Sequence, residues 1–310
     1  MRRLIALFLA MALLVSGCSG AEASEEKPDG RIQIVATLFP QYDFARQIAG
    51  TFAEVTLLLP PGVESHSFEP TPADIIRINN ADLFVYTGPE MEPWAEKLID
   101  GLEGNPTVLD ISQNIPLSEI DPEAEHDGHT HSGADPHIWT DPARAMQMVD
   151  NLAAALCGVD PAHAGSYQTN AASYKAELDQ LDQLLMQTVE QAEYQELVFG
   201  GRFALTYFAE RYGLRWKAAF DSCSGETEPS AGAVAQIIDA IRSEGIPTVF
   251  YEELTDPKVA RMISDETGAQ MLLLHSCHNV SQEEFAEGAT YLSLMRQNAE
   301  NLKKGLNKWR

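Results

Sequence analysis

The sequence predicts an α/β protein of two lobes, each a four-stranded parallel sheet flanked by helices, joined by one long rigid linker helix. Three observations carry that prediction. From Arg31 onward, short β-rich runs alternate with stretches of helical periodicity, the pattern of parallel strands covered by helices. The alternation runs twice, on either side of a segment that has no Gly or Pro from Ser166 to Ala192. The chain's 310 residues exceed what one core ordinarily supports.

Taken in order, RIQIVAT reads as a strand and QYDFARQIAG as a helix closing on Gly50. AEVTLLL is a strand, and TPADIIRINNA a helix with Pro72 in its first turn, where a missing N–H costs nothing. DLFVYTG, PWAEKLIDGL and TVLDI follow as strand, helix and strand. Asp160 and Pro161 then suit the start of a helix whose apolar stripe is Tyr167, Ala171, Tyr174, Leu178, Leu181 and Leu185. About 30 residues of helix would span roughly 45 Å and join the lobes stiffly. The second lobe reads ELVFG as strand, RFALTYFAERYG as helix and LRWKAAF as strand. A helix follows through Val234, Ile237, Ile238 and Ile241 at i, i+3, i+4, i+7 spacing. PTVFYEE, DPKVARMISDETG and AQMLLLH continue the alternation, and a last helix carries Phe285, Ala289, Leu292, Met295, Ala299, Leu302 and Leu306 on one stripe. The segments are therefore a signal peptide at 1–17, a flexible tether at 18–30, a lobe at 31–159, the linker helix at 160–192 and a lobe at 193–310.

The formal charge of −25 would repel nucleic acid and anionic lipid but not a cation. Arg2 and Arg3 precede an apolar run from Leu4 to Val15, too short to span a bilayer, so the N-terminus reads as an export signal. The run ends in VSGC, which resembles the bacterial lipoprotein cleavage motif and makes Cys18 the lipid-bearing first residue of the mature chain. Cys157, Cys223 and Cys277 remain; export leaves a Cys223–Cys277 disulfide open, and Cys157 reads as a buried thiol.

Ligands of open parallel sheets sit beyond the C-terminal strand ends. His66 follows the second strand, His137 in DPHIWTDP lies beyond the fourth, and His275 closes AQMLLLH. Three neutral imidazoles suit zinc and other borderline divalent metals, copper and nickel included, with a fourth ligand completing a tetrahedral zinc site.

Five segments, PPGVESHSFEPTPADI, ADLFVYTGPEMEPW, DPHIWTDP, YFAERYGL and ETEPSAGAVAQIIDAI, together resemble the zinc- and manganese-type metal solute-binding lipoproteins of bacterial ABC importers. The resemblance covers the chain from Arg31 and implies two lobes, one metal in the cleft and delivery to the importer's permease and ATPase subunits. His66 and His137 match the family's first two ligands. The third belongs to a segment resembling H-x-A-F-x-Y, which here reads RFALTY and places Arg202 at the ligand position. Arginine does not ligate a metal. The family's last ligand is an Asp at the end of the final strand, and here that place is His275 within HSCHNVS. The expected site is His66, His137 and His275. Its fourth position is left open among water, Cys277, His278, Glu252 and Glu228, unless Arg202 marks weak metal binding or an anion site. Imidazole and thiolate favour Zn2+ over Mn2+.

His126, His129 and His131 lie in a polar loop before His137 and read either as an auxiliary zinc-collecting loop or as solvated surface. The function expected is that of a binding protein, not an enzyme: extracytoplasmic capture of Zn2+ by a lipid-anchored monomer that needs no nucleic acid. Two alternatives stay open, a secreted zinc-dependent hydrolase and a surface adhesin or metal sensor; neither HExxH nor GxSxG occurs. Imidazole ligation further predicts metal release as pH falls towards 5.

Overall fold

Among the described residues, every strand of the two four-stranded sheets runs parallel to its neighbours, and the two sheets have the same strand order. The computed structural model describes residues 30–66, 68–104, 106–118, 134–220 and 229–308. Two units are distinguished, Met1–Arg31 and Ile32–Arg310, and both sheets belong to the second. Cys18, His126, His129, His131, Cys223 and Glu228 lie outside the described residues, and with them the lipid anchor, the collecting loop and the disulfide partner. No helix among the described residues is long and apolar enough to cross a membrane.

The first sheet consists of β1 (Ile32–Ala36), β2 (Ala53–Leu57), β3 (Leu83–Tyr86) and β4 (Thr107–Asp110), ordered β2-β1-β3-β4. Its helices are α1 (Phe39–Ala49), α2 (Pro72–Asn79) and α3 (Pro93–Ile99). Beyond it lie α4 (Pro142–Val159) and the long helix α5 (Ala164–Glu190). The second sheet consists of β5 (Glu196–Arg202), β6 (Arg215–Phe220), β7 (Thr248–Tyr251) and β8 (Gln270–Leu273), ordered β6-β5-β7-β8. It carries α6 (Thr206–Tyr212), α7 (Ala231–Glu244), α8 (Lys258–Thr267), α9 (Gln282–Ala286) and α10 (Tyr291–Gly305).

In α5, all six residues of the predicted stripe are buried, from Tyr167 to Leu185, in a core shared with α1, α4 and α10. Burying such a side chain contributes roughly 1.5–3 kcal/mol, so this stripe, more than the helix's own propensity, holds α5 in place. At 27 residues the helix is about 40 Å long. It begins after a short 3-10 turn at Pro161–His163. There Asp160 accepts hydrogen bonds from the His163 ring (2.6 Å) and the Tyr167 hydroxyl (2.6 Å).

The structure differs locally from the sequence reading at four places. Helix α4 was not read from the sequence, although Asp141 caps it through Ala143 N–H (2.8 Å) and Pro142 opens it. The segment RFALTYFAERYG is not one helix: Arg202 ends β5, and α6 starts only at Thr206. The final stripe is broken between α9 and α10, where Gly288 takes a left-handed φ of +78° and Thr290 caps a new helix through Ser293 N–H. Cys157 is only partly buried, and Cys277 is a free, fully buried thiol.

Candidate metal centre

Three histidine side chains converge where loops of the two sheets meet: His66 after β2, His137 after β4 and His278 after β8. One ligand atom from each lies within 4.8 Å of the other two. The ring centroids are 5.5 Å apart for His66 and His137, 5.4 Å for His66 and His278, and 4.5 Å for His137 and His278. His66 is the most exposed of the three, and His137 is 2% exposed.

The three imidazoles are held in the same local way. Each backbone N–H donates to a side-chain oxygen two residues earlier. His66 N–H reaches Glu64 Oε1 at 3.0 Å, His137 N–H reaches Asp135 Oδ1 at 2.9 Å, and His278 N–H reaches Ser276 Oγ at 3.4 Å. In two cases the same oxygen also holds the ring. Asp135 Oδ1 lies 2.6 Å from His137 Nδ1, and Ser276 Oγ pairs with His278 Nδ1. Glu253 completes the second arrangement, accepting from Ser276 N–H (2.8 Å) and from the Ser276 hydroxyl. With that hydroxyl proton committed to Glu253, Ser276 Oγ accepts from His278 Nδ1–H. Both rings then present an unprotonated Nε2, the tautomer a metal needs.

The Nε2 atoms of His137 and His278 are buried without a hydrogen-bond partner. An orphaned buried polar atom costs about 1–3 kcal/mol, which a bound cation would offset; the donor set therefore fits a divalent metal. Electrostatics agree. Burial, and then the neighbouring His137, push the His66 pKa down to about 4. Burial and the other two rings of the trio push His278 well below the ordinary imidazole value. Burial alone would raise Asp135, but its contact with His137 holds it below the usual carboxylate range. His66 and His278, both kept from protonating, stand with an ionised Asp135 nearby and are poised for a cation.

His275, expected as the third ligand, is not part of this trio. Its backbone N–H is tied to Asn298 Oδ1 (2.8 Å), and its Nδ1 accepts from Cys277 N–H (2.9 Å). The ring faces Glu253 at 3.5 Å and Glu284 at 3.8 Å. Cys277 then reverses the chain with a φ of +63° and swings His278 into the cleft. The loop is anchored to the first lobe: Phe39 N–H donates to the His278 carbonyl (3.3 Å), and the Asn279 amide donates to the Pro60 and Val63 carbonyls. Fully buried Trp139 adds a bond from Nε1 to the Ser276 carbonyl (2.8 Å).

Of the other residues weighed for the fourth position, Cys277 packs its sulfur against the His275 carbonyl, and burial raises its thiol pKa. Glu252 lines the adjoining pocket but does not join the trio. Burial, and then Glu253, lift its carboxyl to about 7. Arg202, at the end of β5, lines the same pocket and approaches Glu64 at 4.0 Å. Sequence reasoning missed Asp135, Ser276 and Glu253. The signal was present in E-S-H, D-P-H and S-C-H, each placing a side-chain acceptor two residues before a trio histidine; His275 follows Leu273 and Leu274 and has none.

The family described as zinc-uptake complex component A, periplasmic, matches residues 34–305. The chain is 34% identical to the high-affinity zinc uptake system protein ZnuA of Bacillus subtilis, over 95% of this chain and 94% of that protein. It is 32% identical to the zinc-binding lipoprotein AdcA of Streptococcus pneumoniae over 96% of this chain, but spans only 60% of AdcA. The Zn(II)-bound ZnuA-like domain of Streptococcus pneumoniae AdcA superposes with a TM-score of 0.76 at 30% identity, covering 90% of this chain and 100% of that domain.

Proposed function

The chain belongs to the family of periplasmic zinc-uptake component A proteins, and on that premise we propose that it captures Zn2+ outside the cytoplasm. It hands the ion to the permease and ATPase subunits of an ABC importer. His66, His137 and His278 hold the metal. The observation that carries this assignment is the convergence of one ligand atom from each of the three rings within 4.8 Å; two of the rings are aligned by Asp135 and Ser276 and carry buried, unpartnered Nε2 atoms. An imidazole-only donor set favours zinc over manganese, which prefers carboxylate oxygens. Capture requires no turnover, so the protein acts as a binding protein, as a monomer with lobes at 31–159 and 193–310 around the 160–192 linker. Its tether starts at a lipidated Cys18, and His126, His129 and His131 form a collecting loop of lower affinity.

The test is elemental analysis of the purified mature protein, followed by calorimetric titration of the apo form with Zn2+ and Mn2+. Stoichiometric zinc with tight, zinc-preferring binding is expected; absence of binding to either metal would end the proposal. An open fourth position is also what a zinc hydrolase uses. Zinc-dependent turnover of ester, peptide or phosphate substrates would put that enzyme reading in its place.

A further inference from the structure

The trio supplies three donors, and zinc takes four. Among the described residues, no Asp, Glu or Cys joins the three imidazoles as a further donor within 4.8 Å. Two of the nearby carboxylates are committed elsewhere. Glu253 is held by Ser276, and Glu64 accepts from His66 N–H. In place of a fourth protein ligand, the pocket beside His66 and His278 contains Arg202. Its guanidinium is about a quarter exposed, and its approach to Glu64, at 4.0 Å, is longer than a hydrogen bond. Glu252 and Leu254 line the same pocket.

We propose that the fourth coordination position is filled by a small carboxylate from solution, shared between the metal and Arg202. Resting on the metal-capture function above, this makes the cargo a zinc–carboxylate pair rather than a bare ion. Zinc accepts a carboxylate oxygen readily. A guanidinium offers a planar fork that matches the remaining oxygen, and such charge-assisted bonds are the strong ones. An arginine at a position where the family supplies a ligand is otherwise a penalty, because it sets a fixed positive charge next to a dication. A bridging anion turns that penalty into an attraction for both charges. No bond is made or broken covalently; the anion displaces water from the metal.

The experiment uses the full mature chain loaded with Co2+, whose visible absorption reports its ligands, in a buffer free of carboxylates. Acetate and bicarbonate are the probes. The wild type should change its absorption on adding either anion, and acetate should tighten Zn2+ binding about tenfold, the scale of one charged hydrogen bond. In Arg202→Met that ratio should fall to about one, and in Arg202→Lys, which keeps the charge and loses the fork, it should lie between. Should neither variant fold, broadening of the 13C-acetate signal by wild-type Co2+ protein decides the matter alone. Metal uptake with no carboxylate response, or a full response in Arg202→Met, overturns this proposal while leaving zinc capture standing. No uptake of Co2+ or Zn2+ in any buffer removes zinc capture and this proposal with it.

Discussion

The two lobes share one strand order, β2-β1-β3-β4 and β6-β5-β7-β8, yet bring different chemistry to the cleft. The first lobe contributes two imidazoles, His66 and His137, from beyond the ends of β2 and β4. The second contributes one, His278, from beyond β8, and an arginine at the end of β5. Topology fixes where ligands can appear, at the C-terminal edges of parallel strands. It does not fix which side chain stands there. A further difference lies in how the rings are held. The first lobe positions His137 with a carboxylate directly, whereas the second inserts a hydroxyl, Ser276, between carboxylate and imidazole.

The largest effect is expected from removing one imidazole from each lobe. His137→Ala and His278→Ala should each weaken Zn2+ binding by more than about 100-fold, beyond the 10–100-fold typical of losing an outer partner. Titration calorimetry measures this, with circular dichroism of the apo forms as the control for folding. His275→Ala should instead lower stability, by removing the buried acceptor of Cys277 N–H. Loss of zinc binding in His275→Ala with retention in His278→Ala would reverse the assignment.

The next effect is smaller and tests the two ways of holding a ring. Ser276→Ala should cost about 10–100-fold in zinc affinity, because His278 loses the acceptor that fixes its tautomer. Glu253→Gln should cost less than Ser276→Ala, since the hydroxyl remains beside the ring. If both variants bind as the wild type does, the Glu253–Ser276–His278 arrangement has no role in capture.

The range of the interactions involved decides how much of the molecule was legible in the sequence. The strands and α5 are set by local periodicity, and the Tyr167-to-Leu185 stripe is a one-dimensional signal read directly. His66 and His137 stand in loops whose position follows from the strands before them. His278 could not be separated from His275 by placement alone, because three residues is less than the uncertainty of where a loop turns. The turn depends on Cys277 adopting φ +63° and on Asn279 reaching Pro60 and Val63 in the other lobe, contacts more than 200 residues apart in sequence. The break between α9 and α10 was likewise hidden, because an apolar stripe continues across it while the capping residues end the helix.

Protons compete with the metal for the same ring nitrogens. With the His66 pKa down to about 4 and His278 well below its usual value, protons compete weakly for these two donors at pH 5. Zinc should therefore leave at a pH lower than the ordinary imidazole value of 6.5 suggests. For the apo protein the sign is the same. A histidine whose folded-state pKa is depressed binds fewer protons folded than unfolded. Stability therefore falls as pH drops from 6.5 towards about 4. Thermal melts of apo and zinc-loaded protein across this range measure both, and a pH-independent apo melting temperature would contradict the depressed pKa of His66 and His278.

The smallest expected effect concerns the helices that follow the ligand loops. In each lobe a capping box closes the loop: Thr71 with Asp74 at the start of α2, and Ser281 with Glu284 at the start of α9. Thr71 Oγ1 accepts from Asp74 N–H at 3.3 Å, and Ser281 Oγ accepts from Glu284 N–H at 3.1 Å. Thr71→Ala and Ser281→Ala should each lower stability by about 1 kcal/mol. They should differ in reach. Glu284 also lies 3.8 Å from His275 Nε2, so Ser281→Ala loosens a carboxylate beside the buried His275 and should weaken zinc binding slightly, whereas Thr71→Ala should leave it unchanged. Denaturant melts paired with zinc titrations separate the two effects. Equal losses of affinity in both variants would mean that the ligand loops depend on their helices to the same degree, and the difference between the lobes would then end at the imidazoles themselves.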